Sequence, residues 1–390
     1  MSGKKPFTAA TVALGLLATD ARAGEAGDSR TGTVTLARHY TTNALDGPFA
    51  IADWYSQLRG SLAHELPHEA GATRFTAEFD AKRYDTITIE NDASVALATE
   101  TTVRVSERLE LRGALSLRLI DEGDDIAIGD VILGIRTRRA LVSAGLQAGY
   151  QLAPGTVLAI ETSAARELSG RTRFEDGIVP PERLEPNRTR MRAGAALTHT
   201  TGPASIAASA AAGIMRSGTA AVLTPFDRHD ASARLIGTYA FAGGASLSGE
   251  VGVEMVQLAG GAFRETRPVY AAAVALPLAA DMSLRGSLRA GYDLASTDDP
   301  FAVWARRAEV EAGYQAHPTL RFGVGVFDER RRFLAYGTRE QGRGFFAEAA
   351  WSPDEHVVVV FRIDAVRRTL LPVGLPTKGV GVQMAFTARL

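Results

Sequence analysis

The sequence predicts an all-β fold: a single transmembrane, antiparallel, up-and-down β-barrel of about eighteen strands, with sixteen as the alternative. Three observations predict it. Apolar and polar residues alternate with period two in run after run, which puts successive side chains on opposite faces of a strand. The connections between runs alternate short and long, as in barrels with tight turns at one end and longer loops at the other. No run of about 18 apolar residues exists to form a spanning helix. Mean hydropathy is nevertheless -0.01, as expected where lipid-facing apolar positions balance polar inward ones.

Composition narrows the class. A net charge of -1 lacks the basic excess that phosphate backbones demand, so no nucleic-acid partner is expected. Cysteine is absent, which excludes both a disulfide framework and a lipid-anchored cysteine. No helical periodicity or βαβ alternation is present to suggest a soluble enzyme.

In chain order, residues 1–23 read as a Sec signal peptide. Lys4 and Lys5 form its basic region, residues 7–18 its apolar region, and Ala21-Arg22-Ala23 a small-x-small cleavage site. An apolar segment of about a dozen residues is too short to cross a core of roughly 30 Å. Residues 24–390 then form the barrel, with residues 33–42 as its first ascending strand. At residues 64–68, His64-Glu65-Leu66-Pro67-His68 spells the zincin motif HExxH. That chemistry needs a helix, and Pro67 opposes one. In an extended strand the two imidazoles stand about 13 Å apart, too far to share a metal.

The alternation is clearest at residues 109–119. Leu109, Leu111, Leu115, Leu117 and Leu119 share one face, and Glu110, Arg112, Ser116 and Arg118 the other. Residues 282–294 and 307–314 repeat it. Residues 126–139 and the first hairpin are poorly patterned, which leaves sixteen strands open. Short turns fall at residues 68–71, 106–108, 153–155, 201–203, 242–244, 279–281, 317–318 and 352–354. Residues 169–187 and 369–378 read as long polar connections, the first being long enough to fold inward as a constriction. Tyr150, Tyr239, Phe241, Tyr314 and Trp351 lie near short turns, where an interfacial girdle is expected.

In the last strand Val380, Val382, Met384, Phe386, Ala388 and Leu390 occupy one face. This strand resembles the C-terminal insertion signal of bacterial outer-membrane barrels. Thr377, Gly379, Val382 and Met384 match its polar-x-Gly-x-x-apolar-x-apolar form, and the chain ends on Leu390 where such strands commonly end on Phe or Trp. The resemblance implies the outer membrane of a Gram-negative bacterium, outer-membrane lipid as surroundings, and the barrel-assembly machinery as a partner.

The residues expected to line a pore are Arg112, Arg118, Arg190, Arg192, Arg234, Glu250, Glu254, Arg285, Arg289, Asp293, Glu309 and Glu311. Glu78, Asp80, Glu100, Glu110, Glu161, Arg307, Arg321, Arg362 and Asp364 extend the set. An Arg or Lys on the lipid face near the midplane costs roughly 2–4 kcal/mol, so such charges belong inside. There they either set up a transverse field or pair across strands and solvate the wall. With the first strand starting close to the cleavage site, no plug domain is expected.

The function expected is a porin-like channel for passive passage of small hydrophilic or charged solutes. The alternatives are the barrel component of a surface-polysaccharide export system, and a structural or adhesive barrel. No enzymatic role, cofactor or metal is expected. Alanine-rich stretches at 204–212 and 271–275 suit either lipid contact or the flat wall of a homo-oligomer.

Overall fold

The computed structural model describes residues 29–390 apart from 45–49, 129–130, 175–178, 180–182, 219–225, 262, 295–300 and 372–374. The signal peptide at 1–23 lies outside the described residues. The elements are β1 (Ser29–Thr41), β2 (Asp53–His68), β3 (Gly71–Tyr84), the 3-10 turn η1 (Thr88–Glu90), β4 (Asp92–Arg104), β5 (Leu109–Ile128) and β6 (Val131–Ala153). They continue with β7 (Thr156–Ser169), β8 (Arg173–Phe174), β9 (Arg188–Thr201), β10 (Ala204–Ser217), β11 (Arg228–Ala240), β12 (Ser246–Leu258) and β13 (Arg264–Pro277). Last come β14 (Met282–Asp293), β15 (Val303–His317), β16 (Leu320–Phe333), β17 (Arg339–Trp351), β18 (Val357–Leu371) and β19 (Leu375–Arg389).

Setting aside the two-residue β8, eighteen strands form one closed antiparallel barrel. β1 closes it against β19, from Thr33↔Arg389 to Thr41↔Gly381. Closure gives every barrel strand a partner on both sides over at least part of its length, which lets strands cross a medium without water. Among the described residues no helix is long and apolar enough to cross a membrane.

Burial is inverted relative to a soluble protein. Large apolar side chains point outward and are open: Leu115 is 53% exposed, and Val251 and Met384 60%. Their cross-strand partners share that face, and the residues between them face the barrel interior. The outward face of β19 carries Val380, Met384, Phe386 and Leu390, all exposed.

Short connections join β2–β3, β4–β5, β6–β7, β9–β10, β11–β12, β13–β14, β15–β16 and β17–β18, at the eight places the sequence marks. Gly155 (φ 74°) and Gly202 (φ 53°) turn two of them in the left-handed region that side chains rarely adopt. Tyr150, Tyr239, Phe241, Tyr314 and Trp351 are exposed near these turns.

Three expectations are corrected. The first strand begins at Ser29, four residues earlier than read. Residues 126–128 end β5 and residues 131–139 open β6, and the two strands run on together past their neighbours. β4 pairs with β5 up to Ala93↔Asp121, whereas β6 follows β5 to Ile128↔Val131. The sixteen-strand alternative falls with it. Residues 369–378 are mostly strand rather than loop, paired as Thr369↔Pro376 and Leu370↔Leu375. The segment 64–68 stays extended within β2.

Candidate functional site

Register assembles the inner face from alternate residues of every barrel strand. Arg112 on β5 is 3.4 Å from Glu100 on β4, and Arg118 donates to the Ser94 hydroxyl at 3.5 Å. Arg190 on β9 is 3.7 Å from Glu167 on β7. Arg192 donates to Asp230 at 2.8 Å and to Ser232 at 3.0 Å. Arg234 on β11 reaches Glu250 at 2.9 Å and Glu254 at 3.5 Å, both on β12. Glu309 accepts from Arg307 at 2.6 Å, and Glu311 from Arg321 at 3.1 Å.

Pairs as open as Arg112–Glu100 add only about 0–1 kcal/mol each. They solvate the wall more than they hold it together. Two arginines differ. Arg285 and Arg289 on β14 are exposed on the inner face and make no ion pair among the described residues.

The mouth at the long-connection end is narrowed by an element the sequence did not single out. β13 and β14 pair only from Tyr270↔Ala290 to Pro277↔Ser283. Beyond that the seam is open: residues 264–269 pair with β12 alone, while residues 291–293 follow β15. Pro268, with no N–H to give, lies just above the last pair, and proline suits a free strand edge. The freed end of β14 and the start of β15 lean into the barrel. The Tyr292 amide donates to Glu254 on the inner face of β12 at 3.4 Å. Arg228, on the inner face of β11, donates to the carbonyls of Phe301 and, at 3.1 Å, Leu294.

An apolar cluster seals this contact. Val256, Phe301 and Ala302 are fully buried, with Phe226, Leu258, Phe263 and Leu294 packed on them. The Phe263 and Phe301 rings meet edge-on at 5.5 Å. Arg228 and Glu254 are 3% and 2% exposed, which places two charged groups beneath the inturned strand ends. Burial of this kind is tolerated because each is paired: Arg228 sits 3.7 Å from Asp230, and Glu254 faces Arg234. Asp293, at the tip of β14, is within electrostatic range of Arg190 on β9.

The connection at 169–187, read from the sequence as long enough to fold inward, meets inner-face residues at both of its described ends, with Glu185 4.0 Å from Arg139. β8 adds to the overshooting end of β6 (Ile135↔Phe174). Thr172 meets Thr137 at 2.9 Å, and the Ser169 amide donates to Asn187 at 2.9 Å.

Below the inturned strand ends lies a cavity of about 660 Å³ that reaches from Arg74 and Glu100 to Arg190, Arg228 and Asp230, with Leu294 also lining it. Small residues such as Ser116, Ser143 and Ser163 form its wall, which keeps the space open. A second inner feature sits on β1–β3. His39 stacks on Tyr55 at 4.3 Å, Tyr55 tilts against Tyr84 at 4.8 Å, and Lys82 lies over both tyrosine rings. The available signal was the β2 parity, where Asp53, Tyr55, Gln57 and Arg59 oppose Trp54, Leu58 and Leu62.

Outside the strands, Asp227 accepts from the Ser217 amide at 2.7 Å and from Arg216 at 2.9 Å, which holds its carboxyl below the usual carboxylate range. Asp85, bound by the Arg38 guanidinium, is held low in the same way.

No protein-family model matches the chain. No curated protein matches it either. Solved structures do. The copper transporter OprC superposes with a TM-score of 0.57 at 10% identity, over 95% of this chain and 81% of that one. OccK1 (OpdK) of Pseudomonas aeruginosa superposes with a TM-score of 0.50 at 10% identity, over 93% of this chain and 98% of that one. Against the ferric citrate transporter FecA, at 12% identity and a TM-score of 0.48, the chain spans 60% of that protein's length. At these identities the likeness is one of fold.

Proposed function

We propose that this chain is a porin-like channel in the outer membrane of a Gram-negative bacterium, passing small hydrophilic or charged solutes passively and without catalysis. In this reading a Sec leader is removed after Ala23 and the assembly machinery engages β19. The observation that carries the proposal is the lumen: a charged, hydroxyl-lined inner face that no folded domain fills among the described residues. A barrel of eighteen strands leaves room for water and small solutes unless something occupies it. The β14–β15 end narrows the mouth, and solutes pass Arg285, Arg289 and the ion-paired wall on the way through. The barrel fold is shared with a protein that carries a solute, the copper transporter OprC, which agrees with this use of the architecture.

Liposome swelling tests the proposal. Vesicles holding the refolded full chain should swell in isotonic solutions of small neutral sugars, and more slowly as sugar size rises. No swelling with any sugar, from vesicles that demonstrably contain folded barrel, would refute it.

A further inference from the structure

The outward face of β15–β19 changes character along each strand. Near the short turns it is apolar and exposed, with Val310, Val326, Phe345, Phe361 and Met384. Toward the other end the same face carries Arg306, Arg330, Arg343, Arg367 and Lys378, all exposed. Register sets these cations directly against one another. Arg306 opposes Arg330, Arg343 opposes Arg367, and Arg367 opposes Lys378. One step further out, Arg332 opposes Arg339.

Like charges directly opposite on neighbouring strands are destabilising. Relief from the protein is partial. Asp328 pairs with Arg343 at 2.8 Å and lies 3.7 Å from Arg330, and Glu265 takes Arg332 at 2.9 Å. Arg306, Arg339, Arg367 and Lys378 make no ion pair among the described residues. Beside the row, at the open β13–β15 seam, is a cavity of about 400 Å³ lined by Arg267, Trp304, Arg330, Arg332, Arg339 and the Glu340 carboxylate; Arg267 is paired with Glu265, and its guanidinium lies 4.9 Å from the centre of the Trp304 ring.

We infer that this row and its cavity bind the phosphorylated sugar headgroup of lipopolysaccharide in the outer leaflet. The inference rests on the outer-membrane placement proposed above and not on channel activity. Its position fits, because the row begins where the apolar band ends, at the level of lipid headgroups on the long-loop side. The chemistry fits as well. One phosphate placed between two opposed guanidiniums turns their repulsion into two charge-assisted contacts, and guanidinium geometry matches phosphate bidentately. Acyl chains of the same molecule would lie on the apolar band below.

The test uses the purified full chain in detergent, observed by native mass spectrometry. Bisphosphorylated lipid A should be retained at least tenfold better than its fully dephosphorylated form, and inorganic phosphate at the same concentration should not displace it. The triple variant Arg343→Gln, Arg367→Gln, Lys378→Gln should lose at least tenfold in retention; should it misfold, the single Arg367→Gln should lose a smaller, measurable part. The control Arg285→Gln, on the inner face, should leave retention unchanged. Equal retention of the two lipids, or of lipid A by parent and outer-face variants, overturns the site. Displacement by inorganic phosphate reassigns it to a free anion and overturns the lipid. Insertion into phosphatidylethanolamine–phosphatidylglycerol vesicles is scored separately. A barrel that inserts but ignores lipid A phosphates defeats this inference alone, and one that fails to insert in any bilayer defeats the placement beneath it.

Discussion

Replacing Arg228 by Met should loosen the constriction while leaving the barrel wall intact. The Arg228 guanidinium links the inner face of β11 to the inturned segment through the carbonyls of Phe301 and Leu294. Methionine keeps most of the side-chain volume and removes both donors. A hydrogen bond involving a charged group contributes about 1.5–3 kcal/mol net. The variant also gives up the cost of burying a guanidinium that is only 3% exposed, which offsets part of the loss. Asp230 is not orphaned, because Arg192 still donates to it at 2.8 Å. Taking the contribution of one bond as the net effect, about 2 kcal/mol, the docked arrangement of these strand ends loses roughly 30-fold in population relative to the undocked one. The Val256–Phe301–Ala302 packing remains, so the expectation is a flickering mouth and not a permanently open one. Single-channel recording in planar bilayers should show excursions to a larger conductance that the parent lacks. A variant that folds, as judged by heat-modifiable migration on gels, yet gives the parent's conductance and noise would refute the latch.

Other outcomes follow from the same geometry. Changing Arg285 and Arg289 together to Glu reverses two unpaired inner charges, so the reversal potential in a salt gradient should move toward cation preference; an unchanged potential would mean that they do not face the solute path. Gly344→Ala should destabilise the barrel by about 1–3 kcal/mol in urea unfolding, because the added Cβ would lie 2.6 Å from the Phe327 ring and 2.7 Å from the Ala365 carbonyl oxygen, a backbone atom that cannot yield; an unaltered midpoint would contradict the packing. The Asp227 carboxyl should titrate below about 4, the ordinary value for aspartate. Since its folded-state pKa is depressed, the stabilisation it gives is present above that ordinary value and is lost as pH falls through the depressed one. Asp227→Asn should therefore weaken the contacts to Ser217 and Arg216 at pH 7 and make no difference well below the depressed value. A carboxyl NMR titration with a midpoint at or above the ordinary value would count against the Ser217 and Arg216 contacts.

Much of the architecture is written in period two and in turn chemistry. Gly155, Gly202 and the prolines beside them mark their turns because few other residues adopt those backbones. Face assignment follows just as directly: once Leu115 is outward, Arg112 and Arg118 must be inward. What alternation does not encode is how far two strands stay paired. Nothing in the parity of β13 and β14 tells that their seam opens above Tyr270↔Ala290. Val256 and Val269 read as ordinary strand residues, and Phe301 and Ala302 as part of an unremarkable connection. Length and polarity point to the longest polar stretch for a narrowing, and so miss the apolar residues that bury one another at the β14–β15 ends. The overshoot of β5–β6 was hidden for a related reason, since its tip alternates poorly. Charge partners needed register as well. Sequence parity places Arg234 inside, but only the β11–β12 pairing brings Glu250 and Glu254 to it. The same holds on the outer face, where the opposition of Arg343, Arg367 and Lys378 exists only in the assembled sheet.

In the proposed channel, an open aqueous lumen is narrowed at one end by the inturned ends of β14 and β15. Planar-bilayer recording of the refolded, purified full chain tests it most directly. Stable, discrete conductance steps that scale with salt concentration are predicted. A folded, membrane-inserted barrel that passes no current at any voltage or salt concentration would contradict it.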